Sequence, residues 1–330
     1  MRPLSYARVE DVDAAVALVS ADPASAFLAG GTTKVDLVRI GVDRSDRLID
    51  INRLPLASVE EVEGGTVRIG ALARMNDVAR TPSIAERYPA VSQALLLGAS
   101  EQLRNMASMG GNLCQRVRCA YFRDGVSACN KRDPGTGCSA LEGINRGHAI
   151  LGTSESCIAT HPSDVAVALV AFDAVVHTVG PDGAREIPID DFYLLPGRTP
   201  HLEHPLAHGE LITAIDLPSS AVAEHSLYFK FRDRQSYEFA LVSVAAAIDV
   251  NEGVVSDVRV ALGGVGTKPW RARQAEQALL GGPADPASFA AAAAKELAAA
   301  ETREQNAFKV QLAERAIVRG LTKALEGGPR

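Results

Sequence analysis

Four of the five cysteines, the side chains best suited to soft-metal chemistry, cluster between positions 119 and 157. They are Cys119, Cys129, Cys138 and Cys157. Four thiolates are the ligand number of an iron–sulfur cluster, whereas the spacing fits neither a zinc ribbon nor the cysteine run of a bacterial ferredoxin. We predict one metal site in a loop, and zinc or free buried thiols stay open as alternatives. The fifth cysteine, Cys114, is surplus to four ligands and is predicted to be spare.

Two glycine turns carry hydrogen-bond donors that suit a phosphate. The first is Leu28-Ala29-Gly30-Gly31-Thr32-Thr33, directly after an apolar run, and the second is Ser108-Met109-Gly110-Gly111-Asn112. Glycines let the backbone approach an anion closely, and successive amides with neighbouring hydroxyls form an anion-binding nest. Together the turns suggest a long dinucleotide that runs between subdomains, and two unrelated tight turns are the alternative. Neither turn matches GxGxxG, so a Rossmann fingerprint is not indicated.

Two further polar features have both a functional and an ordinary interpretation. The segment Thr160-His161-Pro162-Ser163-Asp164 precedes an apolar helix, and Lys230 lies in an alternating strand pattern. Ser163 or Asp164 could simply cap the helix, and Lys230 could simply face solvent. We find no HExxH motif, no P-loop, no Ser–His–Asp order and no pair of carboxylates that indicates acid–base catalysis.

Apolar periodicity and turn residues predict an α+β chain around these features. Helices are predicted over 8–21, 89–98 and 165–169 and from 272 onward, strands over 26–28, 48–51, 175–179, 226–232, 239–250 and 254–262, and a hairpin around Gly64-Gly65. The stretch 112–160 is predicted to be loop-like. A boundary near 218–224 predicts two domains, residues 1–221 and a smaller domain of residues 222–330, in which we expect a three-stranded sheet packed by helices.

The composition excludes several classes of function. The chain has 330 residues, 47% apolar and 22% charged, with a net charge of −6. A weakly acidic chain without runs of Lys or Arg is a poor nucleic-acid binder, and no apolar stretch is long enough to span a bilayer. The first residues, MRPLSYARVEDVDAAV, lack the apolar core of a secretory signal. We therefore expect a cytoplasmic chain, or a periplasmic one that is exported together with a signal-bearing partner.

Six longer motifs run along essentially the whole chain: AGGTT, SMGGN, THPSD, GELITAIDLP, YFKFRDRQSYEFALVSVAAAID and LGGVGTKPWRAR. In this order they resemble the FAD-binding subunits of molybdenum hydroxylases, the family of xanthine dehydrogenase, carbon monoxide dehydrogenase and 4-hydroxybenzoyl-CoA reductase. Most members run directly from the GGN turn to the Ser-Asp segment, whereas this chain has a cysteine-bearing insert at about 113–160. The insert most resembles that of the [4Fe-4S]-containing flavin subunit of bacterial periplasmic aldehyde oxidoreductases.

The resemblance implies a role for each candidate residue. The implied FAD contacts are, in chain order, Phe27, Leu28, Ala29, Gly30, Gly31, Thr32, Thr33, Ser108, Gly111, Asn112, Asp164, Ile212 and Lys230. The first seven would wrap the pyrophosphate, and the next three would form a second clamp. Asp164 would bind the nucleotide or ribityl portion, Ile212 would pack near the flavin ring, and Lys230 would steady negative charge on the reduced flavin. The four clustered cysteines would ligate the [4Fe-4S] cluster, and Cys114 would not.

The activity that the resemblance implies is electron transfer. In the family, a large subunit oxidises the substrate at a molybdenum cofactor, and a small subunit with [2Fe-2S] centres passes electrons to FAD. The present chain would hold that FAD, in a two-subdomain fold of the vanillyl-alcohol-oxidase type, and would deliver electrons to an external acceptor. The complex would oxidise aldehydes to carboxylic acids.

Several alternatives to this function stay open. They are the flavin subunit of another molybdenum hydroxylase, a stand-alone FAD oxidoreductase and a structural zinc protein. Because the insert has few apolar residues to anchor it, we expect a cluster there to brace the loop rather than to relay electrons.

Overall fold

Three β-sheets organise residues 3–327, the part of the chain that the computed structural model describes. The first sheet is parallel, with the order β1-β3-β2. It is built from β1 (Ser5–Arg8), α1 (Val12–Ser20), β2 (Ser25–Leu28), α2 (Lys34–Arg39) and β3 (Arg47–Asp50). The loop at residues 30–33, called the glycine loop below, joins the carboxyl end of β2 to α2. In sheets with parallel strands, ligands bind at this end of the strands.

The second sheet lies beside the first and has the order β4-β5-β8-β6-β7. Its strands are β4 (Val59–Glu61), β5 (Val67–Gly70), β6 (Val175–Gly180), β7 (Gly183–Pro188) and β8 (Leu211–Leu217). Its helices are α3 (Met75–Arg80), α4 (Pro82–Ala85), α5 (Pro89–Leu97), α6 (Glu101–Arg104), α7 (Met109–Leu113), α9 (Asp164–Ala171) and α10 (Ile189–Phe192). The helix α9 is apolar on every side because it is buried between α5 and the third sheet. The helix α7 carries the second glycine turn.

The third sheet has four strands within the described residues, not the three that we expected. They are β9 (Ser226–Phe231), β10 (Val242–Asn251), β11 (Val254–Gly263) and β12 (Trp270–Arg271), and α11 (Arg273–Leu279), α12 (Pro286–Leu297) and α13 (Phe308–Leu325) pack with them. The expectation was wrong because β12 is only two residues long and has no periodicity of its own. Its pairing with β11 depends on a partner that is distant in sequence.

The insert between α7 and α9 consists of turns and one short helix, α8 (Ala120–Arg123). It nevertheless has a small apolar core, in which Leu37 of α2 packs with buried residues of the insert, namely Val117, Phe122, Cys129, Cys157 and Ala159. The buried Lys309 also ties the insert to the third sheet, because its Nζ donates to the carbonyls of Gly147 (3.0 Å) and Gly264 (2.7 Å). The insert is therefore anchored by packing and hydrogen bonds, contrary to our expectation that it has little to hold it.

Helices long and apolar enough to cross a bilayer are absent from the described part of the chain.

Candidate cofactor sites

Gly30 in the glycine loop lies so close to a neighbouring segment that it has no room for a side chain. A Cβ on Gly30 would lie 1.9 Å from the carbonyl oxygen of Met106, which is too close for any other residue. Gly31 has a φ of 73°, in the left-handed region that favours glycine. The two glycines thus let the loop pass directly against the segment that leads into α7.

The same loop presents unpaired hydrogen-bond donors. Among the described residues, none accepts a hydrogen bond from the backbone N–H groups of Gly30, Gly31, Thr32 and Thr33. Unpaired backbone donors are costly unless water or a ligand accepts from them. A run of free amides next to two threonine hydroxyls is the donor set of an anion-binding nest, so the loop fits a phosphate.

The second glycine turn is mostly satisfied within the protein. Ser108 caps α7 by accepting from the N–H of Gly111 (3.3 Å), and the N–H of Gly110 donates to Ala71 (2.8 Å). The Asn112 side chain bridges two helices, since its Oδ1 accepts from the Ser163 hydroxyl (2.5 Å). The first turn therefore supplies the free donors, and the second supplies a rigid wall opposite them.

Two large cavities meet at the glycine loop. One, the glycine-loop cavity, has a volume of about 540 Å³. The other, the Lys230 cavity, has a volume of about 440 Å³. Each lies within the range of roughly 300–1,000 Å³ that is usual for small-molecule sites. Thr32, Thr33 and Gly111 line both, so these residues form the border between the cavities.

The structure brings twelve of the thirteen predicted FAD contacts to these cavities. Those that line the glycine-loop cavity are Phe27, Ala29, Gly30, Gly31, Thr32, Thr33, Ser108, Gly111 and Ile212. Those that line the Lys230 cavity are Thr32, Thr33, Gly111, Asn112, Asp164 and Lys230. Leu28 lines neither, and its side chain lies behind Gly31 instead. Ile212 and Lys230, both assigned to the flavin ring by resemblance, thus lie in different cavities.

Lys230 and Asp164 form a buried ion pair rather than two separate polar groups. The Lys230 Nζ lies 2.7 Å from Asp164 Oδ2, and the two side chains are 1% and 10% exposed. Tyr228 donates a second hydrogen bond to the same carboxylate (2.7 Å). Burial raises the pKa of Asp164, and Lys230 and Tyr228 oppose that shift. The helix N-cap at this position is Ser163, which accepts from Ala166, so Asp164 is free for the ion pair.

The four clustered cysteines line one small cavity, called the cysteine cavity below. Cys119, Cys129, Cys138 and Cys157 all border it, whereas Cys114 lines the glycine-loop cavity. Burial raises the pKa of Cys119 to about 11 and also raises the pKa of Cys157. Both thiols therefore keep their protons at neutral pH, until a metal displaces them.

The described cysteines are not arranged as ligands of a single metal ion. Within residues 3–327, no three or more His, Cys, Asp or Glu side chains come together as ligands of one metal ion. An iron–sulfur cluster is larger than one ion and holds its four thiolates farther apart, around a common centre. The four cysteines share one cavity, and the described residues do not form a site for a single metal ion.

Two basic side chains stand beside these cysteines. The Nε2 of His148 lies 3.2 Å from the Cys119 sulfur, and burial lowers the pKa of His148 to about 4, so the ring is neutral. Lys131, 8% exposed, lines the cavity as well. Hydrogen bonds and charges around the thiolates are the means by which a protein tunes such a cluster.

Sequence reasoning overlooked a set of charged residues. Arg116 lines the glycine-loop cavity, and the carboxylate of Glu203 pairs with both Arg116 and Lys131. A usable signal was present, because the first part of the insert is rich in cations: Arg116, Arg118, Arg123, Lys131 and Arg132. Arg132 pairs with the nearby Asp124 and Asp133. The partners of the other four are far away in sequence, so the pattern gives these cations and not their pairs.

Models of two protein families match this chain. The family described as the FAD binding domain in molybdopterin dehydrogenase matches residues 2–220, and the carbon monoxide dehydrogenase flavoprotein C-terminal domain matches residues 227–324. The mixture of helices and sheets confirms the predicted α+β class.

Individual relatives agree with the family models. The chain is 46% identical to the aldehyde oxidoreductase FAD-binding subunit PaoB of Escherichia coli (strain K12), over 98% of this chain and 99% of that one. It is 27% identical to the carbon monoxide dehydrogenase medium chain of Hydrogenophaga pseudoflava, over 84% and 79% of the two chains. A solved structure of carbon monoxide dehydrogenase from the same organism superposes with a TM-score of 0.76, at 25% identity and with 99% of each chain covered.

A structure of quinoline 2-oxidoreductase from Pseudomonas putida 86 shares the fold at 20% identity, with a TM-score of 0.77 and coverage of 99% and 98%. The family resemblance predicted from the motifs is confirmed, and this chain belongs to the FAD-binding subunits of the molybdenum hydroxylase family.

Proposed function

We propose that this chain is the electron-transfer flavin subunit of a molybdenum-dependent aldehyde oxidoreductase. The observation that carries the proposal is the 46% identity, over nearly the full length, to an FAD-binding subunit whose name specifies aldehydes. A cavity lined by four cysteines in the insert supports the same assignment. The chain would work with a large molybdenum-cofactor subunit and a small [2Fe-2S] subunit, and it would deliver electrons to an external acceptor.

FAD would extend through both cavities, with its pyrophosphate at their border. The free amides of the glycine loop and the hydroxyls of Thr32 and Thr33 would neutralise the phosphate charge there. Lys230 and Asp164 border one end of the molecule and Ile212 borders the other, so they would contact different parts of the FAD. When bound, FAD supplies the capacity to accept electrons singly or in pairs.

We assign the flavin ring to the Lys230 cavity because charge can be compensated there. Lys230 is fixed by Asp164 and by the carbonyl of Leu97 (3.2 Å), so its ammonium is held in place and buried. A buried, oriented cation stabilises negative charge nearby more than a solvated one does. Ile212 would then pack on the adenosine side, which revises its role at the flavin ring.

The cysteine cavity would hold a [4Fe-4S] cluster through Cys119, Cys129, Cys138 and Cys157. The donor set fits, since all four thiols border one buried cavity and Cys114 lies apart from it. His148 would donate a hydrogen bond from Nε2 to the Cys119 sulfur, and Lys131 would place positive charge near Cys157. Both features favour retention of negative charge on the thiolates.

The first test is the iron and flavin content of protein purified without air, together with its absorption spectrum. We expect about four irons and one FAD per chain. FAD without iron would exclude the cluster and leave the flavin assignment intact. A folded chain that binds neither cofactor would contradict the proposal as a whole.

The second test concerns partners and substrate. Purification from the native source should recover the chain together with a large subunit that contains molybdenum and with a [2Fe-2S] subunit. The recovered complex should oxidise aldehydes to carboxylic acids with an artificial electron acceptor. A lone chain that oxidises a substrate by itself would contradict the proposal.

For the compartment we propose the cytoplasm, or the periplasm if a partner with an export signal carries the chain across the inner membrane. Fractionation of cells that express all subunits, with and without the signal of the partner, distinguishes the two.

A further inference from the structure

A single carboxylate, that of Glu203, lies between two cations from the insert. Its Oε1 accepts from the Lys131 Nζ at 3.0 Å, and its Oε2 pairs with the Nε of Arg116. Lys131 also donates to the carbonyl of Pro200 at 2.8 Å. Burial alone would raise the pKa of Glu203, but Arg116 and Lys131 outweigh it and hold the pKa below its usual range. The three side chains thus form one fixed, ionised group.

The two cations belong to different cavities. Arg116 lines the glycine-loop cavity, and Lys131 lines the cysteine cavity. Arg116 makes a second connection as well, since its guanidinium lies over the ring of Phe122 at 5.0 Å and Phe122 lines the cysteine cavity. The walls of the two cavities are therefore joined by direct side-chain contacts.

Glu203 also directly precedes a segment that lines the glycine-loop cavity. The residues that follow it, His204 and 206–212, line the glycine-loop cavity. The backbone at Glu203 is fixed to Leu194 through a hydrogen bond of 3.1 Å. Arg116 itself lies between Cys114 and Cys119, so a metal that fixes Cys119 also restricts the segment that carries Arg116.

We propose that Glu203 couples the two cofactor cavities: it holds Arg116 against the FAD site and Lys131 against the cysteine site, so that filling one favours filling the other. Arg116 thereby becomes a further FAD-binding residue, and Glu203 is a positioning residue. The coupling arises because side chains of both cavity walls contact Glu203. When the first cofactor orders these side chains, the second cofactor binds with a smaller loss of conformational entropy and therefore more tightly. The inference rests on the proposed function, because it requires both FAD and the cluster.

The test compares the FAD affinity of the full chain with the cluster and after removal of iron by a chelator. We expect FAD to bind at least about fivefold more tightly to the cluster-loaded chain, the lower end of usual coupling. In the variant Glu203→Gln the ratio of the two dissociation constants should fall to near one, although both cofactors still bind. By linkage, FAD should slow iron loss to the chelator in the wild type and not in the variant.

Glu210→Gln is the matched control. Glu210 lines the same glycine-loop cavity and pairs with an arginine, Arg185 (2.6 Å), but its carboxylate accepts hydrogen bonds from Arg185, Thr178 and Ala207 and none from the insert among the described residues. This variant should weaken FAD binding equally with and without the cluster and so keep the wild-type ratio. A ratio near one in Glu210→Gln as well would show that any damage to the cavity abolishes coupling, and would overturn the role of Glu203.

Other outcomes separate this inference from the proposed function. If the wild-type protein binds both iron and FAD, but its FAD dissociation constant is the same with and without the cluster, the coupling alone is overturned. Wild-type protein that binds FAD and no iron overturns the cluster and the coupling together. If Glu203→Gln does not fold, Lys131→Gln replaces it, because it removes the charge on the cysteine side only. An unchanged ratio in that variant would equally contradict the proposal.

Discussion

The glycine loop and the cysteine cavity are two candidate binding sites that this chain builds by opposite means. The loop uses backbone amides, and its shape depends on the absence of a side chain at Gly30. The cysteine cavity uses side chains from an insert that consists of turns, and it is held by a small apolar core and by distant cations. FAD binding at the glycine loop should therefore weaken when a side-chain carbon is added at Gly30. Metal binding at the cysteine cavity should weaken when a cysteine sulfur is replaced.

The largest expected effect is the loss of iron binding when one cysteine of the insert is replaced by serine. Cys138→Ser should abolish nearly all iron binding, because a cluster with four thiolate ligands tolerates the loss of one poorly. Cys114→Ser is the control, since that thiol lies outside the cysteine cavity, and it should keep full iron content. Iron analysis of both variants decides the point. Equal iron loss in the two would contradict the assignment of ligands.

The Lys230 cavity contains a feature that depends on side chains, the buried ion pair of Lys230 and Asp164. Lys230→Met should lower the free energy of unfolding by about 3–5 kcal/mol, because it leaves a carboxylate buried without its cation. The double variant Lys230→Met with Asp164→Asn should recover much of that loss, as no charge is then left unpaired. Denaturant unfolding of the FAD-free chains measures both. A double variant as unstable as the single one would show that the charge is not the cause.

The glycine loop should respond to an added methyl group. Gly30→Ala places a carbon against the Met106 carbonyl, and such overpacking costs about 1–3 kcal/mol. We expect FAD affinity to fall roughly 10- to 100-fold, since each 1.4 kcal/mol is a factor of ten. Gly147→Ala is the control, because a Cβ there meets no atom within 4 Å. Calorimetric titration with FAD should find the control close to wild type.

The effect of the anchor of the insert is a change of stability with pH. Burial lowers the pKa of Lys309 to about 7 from an ordinary value of 10.5. Between these values the unfolded chain binds more protons at this position, so Lys309 makes the free energy of unfolding rise with pH, by at most about 1.4 kcal/mol per pH unit. Lys309→Met should remove this part of the pH dependence between pH 7 and 10. Identical slopes in the two proteins would refute the low pKa.

Turn residues and apolar periodicity were enough to predict the elements that form through residues close together in the sequence. The glycine loop, the hairpin around Gly64-Gly65 and the helix α5 follow from turn residues and periodicity, and the structure contains all three. The motifs also led to residues that line both the glycine-loop cavity and the Lys230 cavity.

Features that depend on contacts between residues far apart in the sequence could not be predicted from it. The strand β12 exists only through β11, and Glu203 meets Lys131 across 72 positions of sequence. Ile212 and Lys230 both carry an FAD role by resemblance, but only the three-dimensional arrangement shows that they border different cavities. Lys230 was also compatible with an exposed position until its buried partner was located.

The contact between Lys309 and Gly147 has a consequence for biosynthesis. The two residues are 162 positions apart, and Lys309 lies at the start of the last helix, α13. A ribosome adds about 5–20 residues per second, so the insert exists for on the order of ten seconds before its anchor is made. During that interval the cysteines are displayed on a segment that has not yet reached its final packing. The packing of the insert is therefore completed only when α13 docks.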